Sequence, residues 1–442
     1  MKILLITHEE WNDYTYSNGI LTNWFSGFNA DFAQIYLSPG LPNNNICHKY
    51  FQISDLQMVK SILKKRKAGC EVSIPKLQED LEQTKNDAQR VGIYGFFKKV
   101  SLITHTPIML LRDYIWKIGK IDETALSKFI RDFNPDVVFC PSMITPRMMM
   151  VENMVSKMTD APFIGFTADD EASLQQYNWS PLYWLRRLYI HFKFANHAKK
   201  LYKYYWTFSE EQALDYTKKY GIPTSTLYKC GDFPSSYASK NVGNPIRMIY
   251  AGRLYCNRWK TLAEIGKALK LINSDREKIV LDVYPLEEPT NKQKSLLSTK
   301  NSIYIHKKVT SNELKKIYEN ADIAMHVESF DKKYRLETRV SFSTKIIDLM
   351  ASTCAIMAIC WNRHGGFQYL KAHDAAFCID NYKDILPMLQ HIVNNPMLIR
   401  EYAEKAYQCG LKNHSREIIQ KQLFNKFNDI TNAYNKRANE KK

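Results

Sequence analysis

Short apolar runs alternate with longer, mixed segments along most of the chain. The first run, residues 2–7, is rich in isoleucine and leucine, which predicts a strand buried on both faces. Runs of this kind that are separated by helices form a parallel sheet covered on both sides. The same pattern predicts further strands at residues 32–37, 50–53, 136–140, 162–167, 205–209, 226–229, 247–251, 278–284, 302–305, 322–327, 355–359 and 376–379.

One segment interrupts this alternation near the middle of the chain. Residues 234–244 combine Pro, Ser, Asn and Gly, a composition typical of an interdomain linker. The chain has 442 residues, more than one hydrophobic core usually organises. We therefore predict an α/β protein with two Rossmann-like domains, residues 1–236 and 245–414, that face each other across a cleft. Residues 415–442 have the pattern of an amphipathic helix, which we expect to pack back towards the first domain.

The chain carries a formal net charge of +17. Such an excess attracts nucleic acid, an anionic membrane or a polyanionic small molecule. The sequence has no zinc-finger spacing, aromatic RNA-binding signature or long basic tail, so we expect no nucleic acid partner. Aromatic and basic residues are mixed within residues 95–117 and 177–206, which favours a peripheral site on an anionic membrane surface. An amphipathic helix packed on its own domain is the alternative.

Cysteine usage and the N-terminus indicate the compartment. The nine cysteines are scattered, and no C-x-x-C pair occurs, which predicts reduced thiols in a reducing environment. The first apolar run is too short for a signal peptide, and no apolar run approaches the ~20 residues that span a bilayer. We therefore expect a cytoplasmic protein, attached peripherally to the inner face of the cell membrane.

Candidate phosphate ligands follow the first strand of the second half. In doubly wound sheets, ligands bind outside the carboxyl ends of the strands. Strand 247–251 is followed by Gly252, Arg253 and Arg258. The glycine permits a tight turn, and two arginines in this loop could hold a diphosphate through bidentate hydrogen bonds. Surface arginines are common, so this loop alone leaves the interpretation open.

A second candidate lies at a predicted helix start. Ser343 is a suitable N-cap and Thr344 falls in the first turn, where free N–H groups can bind phosphate. Lys345 in the same turn opposes the helix dipole, which indicates a bound anion. Asp348, one turn further on, is placed to accept hydrogen bonds from ribose hydroxyls. An ordinary capped helix with a solvated lysine is the alternative.

These residues resemble the GT-B glycosyltransferases, specifically the group 1 family of retaining enzymes that build polysaccharides and glycolipids. Gly252, Arg253 and Arg258 match the order in which that family's second domain opens, and residues 322–329 and 345–357 match the layout of its later signature. Gly19 stands where the family has a glycine-rich loop. The resemblance implies transfer of a sugar from a nucleotide diphosphate sugar to a glycan or lipid-linked acceptor, without a further cofactor.

The chain also departs from that family. The family's two glutamates, separated by seven residues, are not intact: Asp348 stands in the second place, and the spacing puts Val340 in the first. The first glutamate is therefore missing or displaced, to Glu328 or to Glu337 in a charged loop, residues 331–339. A retaining or an inverting reaction remains open.

A histidine common in the family's first domain is replaced by the acidic run Asp169–Glu171. An aspartate here could be a base, hold acceptor hydroxyls or carry no function. We take Asp169, Asp170, Glu328 and Glu337 as the candidate catalytic residues. A metal at the acidic run is a possible alternative. We expect none, because the arginines and Lys345 can offset the charge of a diphosphate.

Two further functions share this architecture. A nucleotide-sugar epimerase would need neither an acceptor nor a membrane-facing segment. A non-catalytic relative that binds glycans or nucleotides would explain the incomplete glutamate pair.

Overall fold

The computed structural model describes residues 1–14, 19–64, 66–72 and 106–439. Within them the chain forms two compact units. The first comprises Met1–Leu227 and the C-terminal residues from Gln420, and the second is Tyr228–Ile419. Each unit is built around one sheet of mainly parallel strands with helices. The prediction of an α/β protein with two Rossmann-like domains is confirmed.

The first unit contains an eight-stranded sheet in the order β4-β3-β2-β1-β5-β6-β7-β8. All its neighbouring strands are parallel except β3 and β4. In β1 every residue after the first is buried, as expected for a strand covered on both faces. The strands are β1 Lys2–Thr7, β2 Asp31–Tyr36, β3 Lys49–Gln52, β4 Cys70–Val72, β5 Val137–Pro141, β6 Phe163–Thr167, β7 Tyr202–Thr207 and β8 Thr224–Thr226.

Several helices of the first unit begin at residues whose side chains accept from the free N–H groups of the first turn. The Ser54 hydroxyl accepts from Gln57 N, and the Gln57 side-chain oxygen accepts from Ser54 N. The helix Glu123–Phe133 buries four apolar residues spaced by three or four positions. The helices are Ile20–Phe25, Asp55–Leu63, 106–118, Glu123–Phe133, Pro146–Val155, Pro181–Leu201 and Glu210–Tyr220.

The second unit contains a six-stranded parallel sheet in the order β11-β10-β9-β12-β13-β14. The chain runs from β9 outward to β11 and then returns to pair β12 with β9. Strand order therefore reverses at β9, the position where doubly wound sheets bind ligands. The strands are β9 Ile246–Gly252, β10 Ile279–Pro285, β11 Ile303–Ile305, β12 Ile323–Val327, β13 Ala355–Ile359 and β14 Phe377–Ile379.

Eight α-helices connect or follow these strands, and a further helix begins at Arg416. They are Arg258–Ile272, Asn291–Leu297, Ser311–Glu319, Lys332–Glu337, Lys345–Ala351, Gly365–Ala372, Ile385–Asn394 and Met397–His414, with a 3-10 turn at Tyr382–Asp384. The last helix, Arg416–Asn439, begins in the second unit and continues into the first.

The boundary between the units differs from the predicted one. The first unit ends at Leu227, not at residue 236, and the predicted linker 234–244 belongs to the second unit. Tyr237 of this segment packs against the second core, and the Lys240 ammonium donates to the carbonyls of Tyr318 and Ala321 at 2.7 and 3.2 Å. These contacts hold a segment whose composition alone resembles a free linker.

The C-terminal helix contributes to the core of the first unit from Gln420 onward. The Phe427 side chain is fully buried, with its ring centre 5.5 Å from that of Phe139 and 5.6 Å from that of Trp206. The Gln420 side-chain amide donates to the carbonyl of Trp24 at 2.9 Å. The C-terminus therefore completes an aromatic cluster that the first 227 residues leave open.

We expect Phe427→Ala to lower the free energy of unfolding of the first unit by about 3–5 kcal/mol, because it leaves a cavity among buried rings. Urea denaturation followed by tryptophan fluorescence measures the change. Phe424 lies on the same helix but is 41% exposed, so Phe424→Ala should cost less than about 1 kcal/mol. Equal losses in the two variants would contradict this packing.

Candidate functional site

The carboxyl ends of β9, β12 and β13 meet at one edge of the second sheet. Gly252 at the end of β9 pairs with Pro285 of β10, and Val327 at the end of β12 pairs with Ile359 of β13. The residues predicted to bind the diphosphate and the sugar follow these strand ends. Because strand order reverses at β9, this edge is where the topology leaves room for a ligand.

A bidentate ion pair joins the loops that follow β9 and β12. The Arg258 guanidinium donates to both oxygens of Glu328, at 2.8 Å from Nε and 2.6 Å from the terminal nitrogen. The side chains are 15% and 6% exposed. Burial opposes the charge of Arg258, but the charge and hydrogen bonds of Glu328 outweigh it and raise the pKa of Arg258. Arg258 was predicted to clamp a diphosphate, but two of its N–H groups are already bonded to Glu328.

Lys345 approaches the end of β9 closely. Its ammonium donates to the Ala251 carbonyl at 3.1 Å. A Cβ atom at Gly252 would lie only 2.5 Å from the Lys345 Nζ, so a larger residue there would displace the end of the lysine. The residue as a whole is exposed, but its ammonium end is crowded by the strand end. This desolvation, and then the charges of Arg258 and Arg253, lower the pKa of Lys345 to about 8.

Arg253 is exposed at this edge. Its side chain is 54% exposed, and its Nε lies 3.8 Å from a carboxylate oxygen of Glu287, which is 68% exposed. An ion pair of this kind between exposed groups contributes little. Arg253 and Lys345 therefore form a region of positive charge that a bound anion would relieve, while Arg258 positions the buried Glu328.

The start of the Lys345 helix differs from the prediction. The helix begins at Lys345, and Thr344 precedes it in a helical conformation without a side-chain capping bond, so Ser343 is not the N-cap. Ser343 instead closes a turn, with its carbonyl accepting from Ile346 N at 2.9 Å. The helix thus lacks the side-chain cap that was expected to start it.

Asp348, the predicted ribose ligand, already has a partner in the structure. Its carboxylate accepts from the Lys229 ammonium at 2.8 Å, and its side chain is 53% exposed. Asp348 lies three residues after Lys345 and therefore on the same side of the helix. A role in holding ribose remains a prediction, and it would require sharing or replacing Lys229.

The segment predicted as a charged loop, residues 331–339, contains the short helix Lys332–Glu337. Asp331 anchors its start, because its carboxylate accepts from Asn257 at 2.7 Å and Lys260 at 2.8 Å. Glu337 is exposed, and its charge acts on the Cys256 thiol of the β9 loop. Of the two glutamates predicted to act on the sugar, Glu337 is therefore accessible, whereas Glu328 is buried.

Two histidines and a cysteine lie beneath the same strand ends, and the sequence analysis selected none of them. His326 is in β12, Cys360 follows β13, and His364 precedes the helix Gly365–Ala372. Burial is the main cause that lowers the pKa of both histidines, so both rings are neutral at pH 7. Cys360 and His364 lie four positions apart in the sequence, and the pairing of β12 with β13 brings His326 to them.

The acidic run Asp169–Glu171 lies in the first unit, after β6. Asp170 is buried and holds its own loop: it accepts from Ser173 Oγ at 2.5 Å and pairs with Arg187 at 3.3 Å. These contacts indicate a structural part for Asp170, in place of an open catalytic position. Asp169 is exposed, and its catalytic role remains a prediction.

Glu171 is the member of this run with the most altered acidity. Burial raises its pKa to about 8, although the N–H of Ile144 donates to its carboxylate and opposes the rise. A carboxyl group that is protonated near neutral pH can act as an acid. From the sequence, Glu171 was predicted only as part of a possible metal site.

A buried cluster at the end of β1 was also missed. The Arg147 side chain is 1% exposed, and its guanidinium contacts Asp55 at 3.0 Å and the His8 ring at 2.8 Å. The Trp116 indole donates to the same carboxylate at 2.5 Å. Burial, and then the charge of Arg147, lower the pKa of His8 to about 4. The position of His8 directly after the first strand was the signal available in the sequence.

Gly19 precedes the helix Ile20–Phe25 in a left-handed conformation, with φ of 42°. Its carbonyl accepts from Asn23 N at 2.8 Å, which starts the helix. A glycine adopts this φ without strain, so the local structure explains the residue. The preceding Asn18 lies outside the described residues.

The two units, each built around a mainly parallel sheet, have the GT-B fold, which is known from glycosyltransferases. No protein-family model matches this chain, and no curated protein sequence does. The similarity is therefore one of structure, at sequence identities that show the fold alone.

Three solved structures illustrate this similarity. Anabaena Alr3699/HepE in complex with UDP has a TM-score of 0.61 at 11% identity, over 97% of this chain and all of that one. An α,α-trehalose-phosphate synthase (UDP-forming) from Burkholderia vietnamiensis has a TM-score of 0.56 at 9% identity, with the same coverage. The GtfA/B complex has 0.54 at 12% identity, over 71% of this chain. This chain spans about three fifths of the GtfA/B chain, 61%.

We expect Lys345→Met to raise the free energy of unfolding at pH 7. The pKa of Lys345 in the folded protein, about 8, lies below its usual value of 10.5, so protonated lysine opposes folding. This penalty is fully present below pH 8 and disappears as the pH rises towards 10.5. Urea titrations measure the free energy of unfolding of both proteins. The difference between Lys345→Met and wild type should therefore be smaller at pH 10 than at pH 7.

The exposed Lys300 provides the matched control for this prediction. Lys300→Met should change the free energy of unfolding equally at both pH values. A difference between Lys345→Met and wild type that stays constant with pH would show that Lys345 is not under electrostatic strain.

Proposed function

We propose that this protein is a glycosyltransferase that moves a sugar from a nucleotide diphosphate sugar to a glycan acceptor. The observation that carries the proposal is the convergence of Arg253 and Lys345 at the strand reversal, with the pKa of Lys345 lowered to about 8. A diphosphate would supply the missing negative charge there. HepE, which shares the fold, was solved with UDP-glucose, and this supports a sugar nucleotide as the donor.

The chemistry follows from where negative charge develops. When the bond from the sugar to the diphosphate breaks, charge accumulates on the leaving oxygen, and nearby fixed cations stabilise it. Lys345 and Arg253 would fulfil this part without a divalent ion on the diphosphate, and Thr344 and Ser343 would contribute backbone donors. No further cofactor is needed.

The carboxylates would act on the sugar and on the acceptor. Glu328, held by Arg258, would orient sugar hydroxyls from a fixed position. The accessible Glu337 would bind sugar hydroxyls from the surface. Asp348 would hold ribose. In the first unit, Asp169 and the weakly acidic Glu171 are the groups suited to handling an acceptor hydroxyl.

The acceptor is proposed to be lipid-linked, in surface polysaccharide or glycolipid synthesis at the inner face of a bacterial membrane. The support is an exposed apolar stripe on the helix Pro181–Leu201: Leu182, Leu185, Tyr189 and Phe192 are 45%, 65%, 52% and 63% exposed. They recur every three or four residues, so they share one side of the helix. Lysines at 193, 199 and 200 suit an anionic headgroup layer.

A neighbouring helix, residues 106–118, adds to this surface. Leu111 and Tyr114 are 60% and 58% exposed, and Asp113 forms an ion pair with Arg186 at 2.8 Å that joins the two helices. Residues 95–105 of the predicted aromatic–basic segment lie outside the described residues. None of the helices in the described ranges is long and apolar enough to cross a bilayer. Attachment would therefore use the helix surfaces.

Two outcomes would favour the other functions that this architecture permits. Isomerisation of a sugar nucleotide without any acceptor would indicate an epimerase. Failure to bind any nucleotide diphosphate sugar would indicate a non-catalytic relative.

Lys345→Ala should lower kcat by roughly 100-fold or more, because one charge-stabilising donor of the leaving group is lost. Release of nucleoside diphosphate from UDP-glucose and other donors, with extracted membrane lipids as acceptors, measures turnover. Lys300→Ala, at an exposed position of the same unit, should keep wild-type turnover. Near-wild-type turnover of Lys345→Ala would refute the role given to Lys345.

The double variant Leu185→Glu, Phe192→Glu should weaken binding to anionic vesicles by at least about tenfold, because two apolar side chains no longer enter the headgroup layer. Co-sedimentation with phosphatidylglycerol vesicles measures this. Leu214→Glu, at a position that is 72% exposed elsewhere on the same unit, is the control and should bind like wild type. Equal binding by all three proteins would exclude this surface.

A further inference from the structure

Three side chains that commonly bind metals meet beneath the edge of the second sheet. One potential ligand atom from each of His326, Cys360 and His364 lies within 4.8 Å of the others. The three residues are 5%, 0% and 2% exposed. The proposed transfer chemistry does not use them.

The sheet register explains how they meet. His326 pairs with Ala358 on the adjacent parallel strand, so their side chains point to the same face. Cys360 lies two residues beyond Ala358 and therefore also points to that face. The chain then turns, and His364 comes back as the N-cap of the helix Gly365–Ala372.

One imidazole nitrogen of this cluster has no hydrogen-bond partner among the described residues, and another has only a weak bond. His326 Nε2 is buried and has no hydrogen-bond partner among the described residues. Buried side-chain nitrogens nearly always have a partner, so this atom requires an explanation. His364 Nδ1 accepts only a long bond, 3.4 Å, from the N–H of Phe367. A ligand that takes up both imidazoles would satisfy the first ring and would replace one weak bond of the second.

We propose that His326, Cys360 and His364 bind a zinc ion. Imidazole nitrogen and thiolate sulfur are ligands that zinc prefers, and donor atoms around tetrahedral zinc lie about 3.3–3.8 Å apart. Small side-chain rotations within the present 4.8 Å span would give this arrangement. On binding, the Cys360 thiol releases its proton to solvent, both rings coordinate in the neutral form, and water takes the fourth position.

The surrounding charges are compatible with this ion. Glu328 and Arg258 act on both Cys360 and His364, and they compensate each other as a pair. Arg258 and Lys345 act on His326 and oppose a cation there. The Cys360 thiolate supplies the negative charge that offsets part of the ion's charge. The zinc would join β12, β13 and the His364 helix directly under Glu328, and so would fix the floor of the candidate donor site.

The metal content of the purified full chain, produced without a histidine tag, tests this proposal. After incubation with ZnCl2 and removal of free metal, elemental analysis should find about one zinc per chain. After loading with CoCl2, the protein should show the near-ultraviolet band of a thiolate bound to cobalt. A folded wild-type protein that retains no zinc and shows no such band would overturn the proposal, whatever its transferase activity.

Two variants locate the metal. Cys360→Ser should lose the cobalt–thiolate band and most of the zinc, and His326→Asn should lose most of the zinc. Cys378→Ser is the matched control. Cys378 lies in β14 of the same sheet and is partly exposed, so this variant should keep the zinc and the cobalt–thiolate band. Retention of zinc and band by a folded Cys360→Ser or His326→Asn protein would place the metal elsewhere and refute the site. If Cys360→Ser does not fold, the cobalt spectrum of wild type and the His326→Asn protein decide the question.

Discussion

The ion pair between Arg258 and Glu328 is the interaction on which the candidate site depends. It joins the loop after β9 to the end of β12, across the point where strand order reverses. Both groups are nearly buried, so loss of either partner would leave an uncompensated charge, a change that costs far more than loss of a surface pair. With Arg258 held in this way, Arg253 and Lys345 are left to meet an anion. Burial first, and then the charges of Arg258 and Arg253, lower the pKa of Lys345.

The same edge of the sheet shows how one fold separates support from chemistry. The residues that point into the unit, His326, Cys360 and His364, are buried and neutral or weakly acidic, and they suit a buried metal ion. Arg253 and Lys345, which point outward, are charged and accessible. Zinc beneath the site and cations above it would therefore have different roles. The zinc would fix the strands, and the cations would stabilise a leaving group.

The sequence predicted the architecture better than the site. Apolar runs of strand length located both sheets, and Gly252, Arg253 and Lys345 could be found because they follow strands or begin a helix. The pairing of Arg258 with Glu328 could not, since seventy positions separate the two residues and only the strand order brings them together. The linker at 234–244 was misplaced because composition does not reveal that Tyr237 packs on a core. His326 is far from Cys360 and His364 in the sequence, and only the pairing of β12 with β13 brings it to them.

Titration calorimetry of the purified chain with nucleoside diphosphates tests the central claim, that Arg253 and Lys345 form a diphosphate site. UDP is the first ligand, followed by the diphosphates of the other bases. The account predicts that at least one nucleoside diphosphate binds, that its nucleoside without phosphate does not, and that Arg253→Ala and Lys345→Ala each weaken binding while Lys300→Ala does not. Absence of binding by every nucleoside diphosphate, or unchanged affinity in both site variants, would contradict it.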